Sequence, residues 1–178
     1  MRYLVLLLSL FVFACTSTTK DNQQVEARSA QDSLLLHPEE MKFLRNIKQL
    51  TFGGNNAEAY WSFDDQHIVF QSDFAGWGVS CDQMFITDWK NDDLKNNRPP
   101  MVSTGLGRTT CSYFLPGNQT IVYGSTHLGD EKCPPVPEPR DDGKYVWPIY
   151  PSFDIFTADL EGNIINQLTD FEGYDAEA

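Results

Sequence analysis

The sequence repeats itself, and a repeat restricts what a chain can fold into more than any local propensity does. Ala59–Ser72, AYWSFDDQHIVFQS, aligns with Ser112–Ser125, SYFLPGNQTIVYGS, at the constant offset that carries Ile68 onto Ile121. Each half reads as a hairpin. An aromatic-bearing strand enters a polar turn, Asp64-Asp65-Gln66 or Pro116-Gly117-Asn118, and leaves as an apolar strand, Ile68-Val69-Phe70 or Ile121-Val122-Tyr123. A third strand recurs as Gln83–Asp88 and Asp154–Asp159, alternating apolar and polar residues before a turn. A fourth element, Gln49-Leu50-Thr51, returns as Gln167-Leu168-Thr169, and Ala-Glu-Ala comes within a few residues each time.

Four short antiparallel strands per unit of about 50 residues is the arithmetic of a propeller blade. The expected fold is therefore all-β, a β-propeller of four-stranded antiparallel blades with about two blades present and the set incomplete. A small antiparallel sandwich with a coincidental repeat is the alternative. The order of hairpin, apolar strand, strand ending in aspartate, then Gln-Leu-Thr resembles the WD-like TolB repeat, over about Asn46 to the last residue. Both turns depart from that family's Ser-Pro-Asp-Gly, reading Ser62-Phe63-Asp64-Asp65 and Leu115-Pro116-Gly117-Asn118. The expected divisions are a leader over 1–14, a tether over 15–33 and a partial propeller over 34–178. Within it, blade one covers about 57–104, blade two about 110–169, and a third starts at 176–178. A blade has two apolar faces to cover, so a longer natural product is expected. Ile47–Thr51 reads as the outermost strand of a blade completed from the far end of the chain, after a helical first turn at Pro38-Glu39-Glu40 with Leu44 and Ile47 turned inward.

The N-terminus is an export signal by composition. Met1 and Arg2 precede an apolar run over Tyr3–Ala14 that only Ser9 interrupts, too short for the roughly 20 residues of a spanning helix. It ends Val12-Phe13-Ala14-Cys15, which resembles a bacterial lipobox with Cys15 as the lipidated residue; an ordinary signal peptide is the alternative. Thr16 follows Cys15 instead of an aspartate, and the resemblance to the lipoprotein pattern then implies the outer membrane, so the expected location is its periplasmic face, held by the lipid anchor only. From Thr16 to about Ser33 the chain is polar and has no aromatic residue, which reads as a flexible tether.

With 13 basic and 25 acidic residues the formal charge is −12, which repels phosphate and makes nucleic acid and anionic lipid poor partners. The pairs Asp64-Asp65, Asp92-Asp93 and Asp141-Asp142 sit in turns without a calcium-loop ligand pattern, so they read as solvated turns and no metal is expected. Three cysteines besides Cys15 match no zinc spacing, and an exported chain meets an oxidising compartment. One disulfide is expected. If the Pro116-Gly117-Asn118 turn closes its hairpin, Cys111 lies across from Gly124 near the root of the loop carrying Cys133. Cys111–Cys133 is then the favoured bridge and Cys81–Cys111 the alternative.

The connections after the second strand of each unit are long and share one rim. The first, Asp73–Cys81, carries Trp77. The second, Thr126–Pro151, holds Pro134, Pro135, Pro137, Pro139, Pro148 and Pro151 together with Tyr145, Trp147 and Tyr150. Such loops either bind or merely cover. As a binding rim, Trp77, Tyr145, Trp147 and Tyr150 in acidic surroundings suit a neutral or cationic partner: an envelope protein, peptide or glycan. No catalytic constellation and no cofactor motif is present. His37, His67 and His127 share no metal spacing, and His127 beside Asp130 reads as a surface contact. Resemblance to TolB-like lipoproteins implies a non-enzymatic binding or assembly scaffold. The propeller is also similar to the N-terminal domain of prolyl-oligopeptidase-family peptidases, which would place a hydrolase beyond residue 178.

Overall fold

The structure is a computed structural model and describes residues 35–144, 146 and 148–177. The chain divides into two units, Met1–Gln49 and Leu50–Ala178. The described part of the first unit holds a single 3-10 turn, Glu40–Lys42, whose entry is fixed by a bond from His37 N to the Glu40 carboxylate at 2.8 Å. Leu44 is exposed, not turned inward as its spacing suggested, because one turn offers no packing face. The expected leader, Cys15 and tether lie outside the described residues.

The second unit is all-β and holds two sheets without barrel closure. β1 (Asn56–Trp61), β2 (His67–Ser72) and β3 (Gln83–Asp88) form the first, antiparallel and in chain order. β4 (Thr109–Phe114), β5 (Thr120–Ser125), β6 (Ser152–Asp159) and β7 (Ile164–Gln167) form the second in the same way, and β8 (Gly173–Tyr174) lies parallel beside β6.

The repeat persists below the level of strands. The β1–β2 ladder slips between Ala57 and Tyr60, and β4–β5 slips at the equivalent Thr110 and Tyr113. The extra residue of each bulge is left-handed: Glu58 at φ 48° and its counterpart Cys111 at φ 47°. The hairpin turns place Asp65 at φ 57° and Asn118 at φ 58°, a conformation that Asp and Asn tolerate better than other side chains. At the strand ends, Ser72 Oγ accepts from Phe74 N as Ser125 Oγ accepts from His127 N, at 3.2 and 3.3 Å. Met84 N donates to Ser103 Oγ as Ile155 N donates to Thr169 Oγ1, at 3.0 and 2.9 Å.

That last pair reveals the fourth element of the first sheet. Met101-Val102-Ser103 occupies the place of Gln167-Leu168-Thr169. Val102 N donates to Met84 O at 2.8 Å, Ile86 N donates to Pro100 O at 3.0 Å, and Phe85 bridges to Met101. The element shrinks to a bridge because Pro99 and Pro100, lacking N–H groups, precede it. Residues 49–51, expected as a strand, form none; Leu50 instead packs its side chain onto the outer face of the first sheet.

Two apolar layers result. Val69, Met84, Ile86 and Val102 interlock with Phe114, Ile121, Tyr123 and Ala158 between the sheets, each at most 8% exposed. Removing such side chains from water contributes about 1.5–3 kcal/mol apiece. On the opposite face of the first sheet, Ile68, Phe70, Phe85, Leu94 and Trp77 form a second layer beneath Leu50, Phe74 and Met101.

Candidate functional site

A cavity lies where the same corner of the two repeats meets. It encloses about 500 Å³ between the start of β1, the start of β4 and the long connections above them. The first repeat contributes Asn55, Glu58, Gln71, Asp73 and Asp82; the second contributes Arg108, Cys111, Pro148, Tyr150 and Phe153; β8 adds Tyr174 and the segment after it Glu177. Glu58 and Cys111 arrive there because the bulge at each position breaks the strand's alternation, which otherwise sends neighbouring side chains to opposite faces.

The polar walls are anchored through the repeat. Asp73 accepts from Asn55 N at 2.6 Å and from Asn55 Nδ2 at 2.7 Å, and the equivalent Thr126 Oγ1 accepts from Arg108 N at 2.9 Å. Thr109 N and its hydroxyl both donate to Asp82 O at 3.0 Å, joining the second repeat to the first. Asp175 N donates to Phe153 O in the corresponding place, so residues 175–177 dock on the second sheet as Thr109–Cys111 dock on the first.

Charge in the cavity is unbalanced. Among the described residues that line it, Glu58, Asp73, Asp82 and Glu177 face one cation, Arg108, whose Nη1 lies 2.8 Å from Asp82. Burial raises the Asp82 carboxyl above its ordinary range, Arg108 opposes that shift, and Asp73 adds to it. Arg108 Nε is buried without a hydrogen-bond partner. Burial, reinforced by Glu177 and Glu58, pushes the Cys111 thiol up to about 11; its Sγ lies 3.1 Å from the Glu177 carboxylate. A thiol of that kind is not a nucleophile near neutral pH.

No family model, curated protein or solved structure matches the chain. The site is therefore defined by its own residues.

Of the expected rim, Tyr150 lines the cavity and is held by a bond from its hydroxyl to Pro135 O at 2.8 Å. Trp77 does not belong there. It is 6% exposed and packs against Phe74, Phe85 and Phe70 at ring separations of 5.3, 5.1 and 6.1 Å. The short 3-10 helix Ala75–Trp77, ended by left-handed Gly78 at φ 77°, folds the loop back and drives the indole into the outer apolar layer. Tyr145 and Trp147 lie outside the described residues.

The disulfide also departs from expectation. It joins Cys81 to Cys133, with a Cα separation of 6.0 Å, and Cys111 is free, so neither Cys111–Cys133 nor Cys81–Cys111 forms. The bulge explains the difference: Thr110, not Cys111, pairs with Gly124, and the left-handed Cys111 turns its sulfur to the cavity. The bridge ties together the two long connections, and Gly107 N to Glu131 O at 2.8 Å adds a second tie.

His127 Nδ1 lies 2.9 Å from Ser125 Oγ and its ring packs at a tilt against Phe156, with centroids 4.5 Å apart, while Asp130 accepts from Lys132 N. Ser125 is wholly buried and shares its turn geometry with Ser72, so the contact belongs to the repeat's fold. Among the acidic pairs, Asp64 accepts from Ser62 Oγ and Gln66 N, Asp92 from Asp88 N, and Asp142 from Arg140, all within their own turns. Among the described residues no group of three or more His, Cys, Asp or Glu side chains is arranged to hold a metal ion.

Proposed function

We propose that this chain is a non-enzymatic binding scaffold of the bacterial envelope, a TolB-like propeller lipoprotein whose two sheets are successive blades. Its site is the cavity between them, and its partner is a peptide or protein segment carrying a basic side chain. Supporting the blade reading are four strand positions in each sheet and a sheet-on-sheet packing of one repeat against the next. Supporting the anchor are the apolar run and Cys15.

The observation that carries the binding reading is the acceptor surplus of the cavity. Its donors are largely engaged inside the protein: Asn55 on Asp73, Arg108 on Asp82 and Thr126, Thr109 on Asp82 O. Glu58 and Glu177 each accept through Oε2, from the Tyr60 hydroxyl and from Cys111 Sγ, and line the same cavity as Tyr150, Phe153 and Tyr174 with their other carboxylate oxygens. An ammonium or guanidinium group matches both features, through charge and through the faces of the rings.

Titration of the protein with a lysine-rich peptide, monitored by fluorescence anisotropy, tests this. Glu58→Gln with Glu177→Gln is expected to weaken binding at least tenfold, and raised salt to weaken it in wild type. Binding that survives both changes would remove the cavity as the site, and binding of a neutral glycan with the same dependence on Tyr150 would redirect the partner class. Loss of fatty-acid labelling in Cys15→Ser checks the anchor.

A further inference from the structure

The connection between β5 and β6 builds a second cavity beside the acidic one. Its prolines each fix their own φ and withhold an N–H, so the segment holds its course without a strand ladder. It runs out through Val136, Pro137 and Pro139, reverses, and returns through Lys144, Val146 and Pro148. The reversal is pinned within itself. Arg140 Nε and Nη2 both donate to the Asp142 carboxylate at 2.9 Å, Gly143 N donates to Arg140 O at 2.9 Å with a left-handed φ of 69°, and Lys144 N donates to Asp142 at 3.2 Å. The Tyr150 hydroxyl closes the far end on Pro135 O.

Between the outgoing and returning arms lies a space of about 260 Å³. Val136, Pro137, Pro139 and Val146 make its walls mostly apolar. Glu138 and Lys144 bring opposite charges to it, and Lys144 Nζ already lies 3.5 Å from Asp142, so the cavity favours no ion. Val136 is 71% exposed there, apolar area that an apolar occupant would remove from water.

The two cavities share a wall. Arg108, Pro148 and Tyr150 line both, and Arg108 turns its Nη1 to Asp82 on the acidic side. Occupants of the two cavities therefore stand on either side of the same ring and the same proline. An extended peptide advances about 3.3 Å per residue and sends successive side chains to opposite sides, so residues one or two positions apart reach both.

We propose that the partner segment places a large apolar side chain in the proline-walled cavity, within about two positions of the basic side chain held in the acidic one. The proposal rests on the binding reading of the acidic cavity and adds a second determinant to it. A wall stiffened by prolines and tied by Cys81–Cys133 loses little freedom when it is filled, which favours tight binding.

Fluorescein-labelled peptides with blocked ends, Gly-Gly-Lys-Phe-Gly-Gly, Gly-Gly-Lys-Gly-Phe-Gly and Gly-Gly-Lys-Ala-Gly-Gly, titrated with the full chain and read by anisotropy, test this. The better of the two phenylalanine peptides is expected to bind about tenfold tighter than the alanine peptide. Val136→Thr with Val146→Thr keeps the shape of the walls and adds hydroxyls. It is expected to cut that advantage to about threefold or less, leaving the affinity for the alanine peptide unchanged. If the pair fails to fold, Val136→Thr alone, at an exposed residue, takes its place. Glu58→Gln with Glu177→Gln is expected to weaken all three peptides while keeping the ratio between them. Equal binding of phenylalanine and alanine peptides by wild type, or an advantage that the threonines leave untouched, would overturn the proposal. An intact phenylalanine advantage with no loss on changing Glu58 and Glu177 would instead count against the acidic cavity as the basic side chain's site.

Discussion

The two sheets are copies that live in different surroundings. They share strand order, bulge, turn and capping hydrogen bonds down to the left-handed residue of each bulge. Yet Ile121 is closed over by a neighbouring sheet, while Ile68 borders an open cavity. The long connection of the first repeat buries its own tryptophan; that of the second is stiffened by prolines and lines the acidic cavity. Backbone geometry is thus set by the repeat, whereas burial and chemistry are set by what each copy meets.

Removing the bridge attacks the comparison most strongly, because Cys81–Cys133 links one copy to the other. Cys81→Ser with Cys133→Ser is expected to cost up to about 4 kcal/mol by chain entropy for a 52-residue separation, measured as a fall in the urea midpoint. Next come paired truncations. Ile121→Ala is expected to cost about 3–5 kcal/mol and Ile68→Ala nearer 2, since only the first leaves a sealed void. Equal costs would mean that the cavity beside Ile68 does not open it to solvent.

Asp73→Ala and Thr126→Ala probe the shared cap, and each is expected to cost about 1 kcal/mol by equilibrium denaturation. The smallest effect concerns protons. His127 stands where the first repeat has Phe74, and burial lowers its pKa against an opposing pull from Asp154. Its folded pKa lies below the unfolded value, so the stability it contributes is present above the unfolded value and is lost as pH falls toward the folded one. His127→Phe, which installs the first copy's residue, is expected to flatten the slope of the unfolding free energy over that range. An unchanged slope would place the titration elsewhere.

Much of the fold could be read from the residues. The recurrence of Gln83–Asp88 as Asp154–Asp159 gave β3 to the residue and β6 but for two residues at its start. Asp65 and Asn118 marked their turns through polarity, which is the property the left-handed region demands. The site was less legible, for identifiable reasons. A bulge adds one residue and reverses the face of every residue beyond it in the strand, so alternation could not show that Cys111 faces the cavity and leaves Cys81 for Cys133. Trp77 looked available because it sits in a loop; its burial depends on a 3-10 helix and on Phe70 and Phe85 from other strands. Met101-Val102-Ser103 escaped because two prolines and a changed first residue hid its kinship with Gln167-Leu168-Thr169.

The bridge between the two long connections also governs how the chain would behave under tension. A protein held at one end and pulled at the other lengthens by the contour that unfolding releases. The bond from Cys81 to Cys133 lies in the load path and short-circuits the 52-residue separation between them, including β4 and β5. Fully extended, that stretch would measure roughly 170–190 Å, and none of it can be released while the bond is intact. Force would therefore strip β1 or β8 first and leave the hairpin of β4 and β5 unloaded, a mechanical shelter that falls on the walls of the acidic cavity.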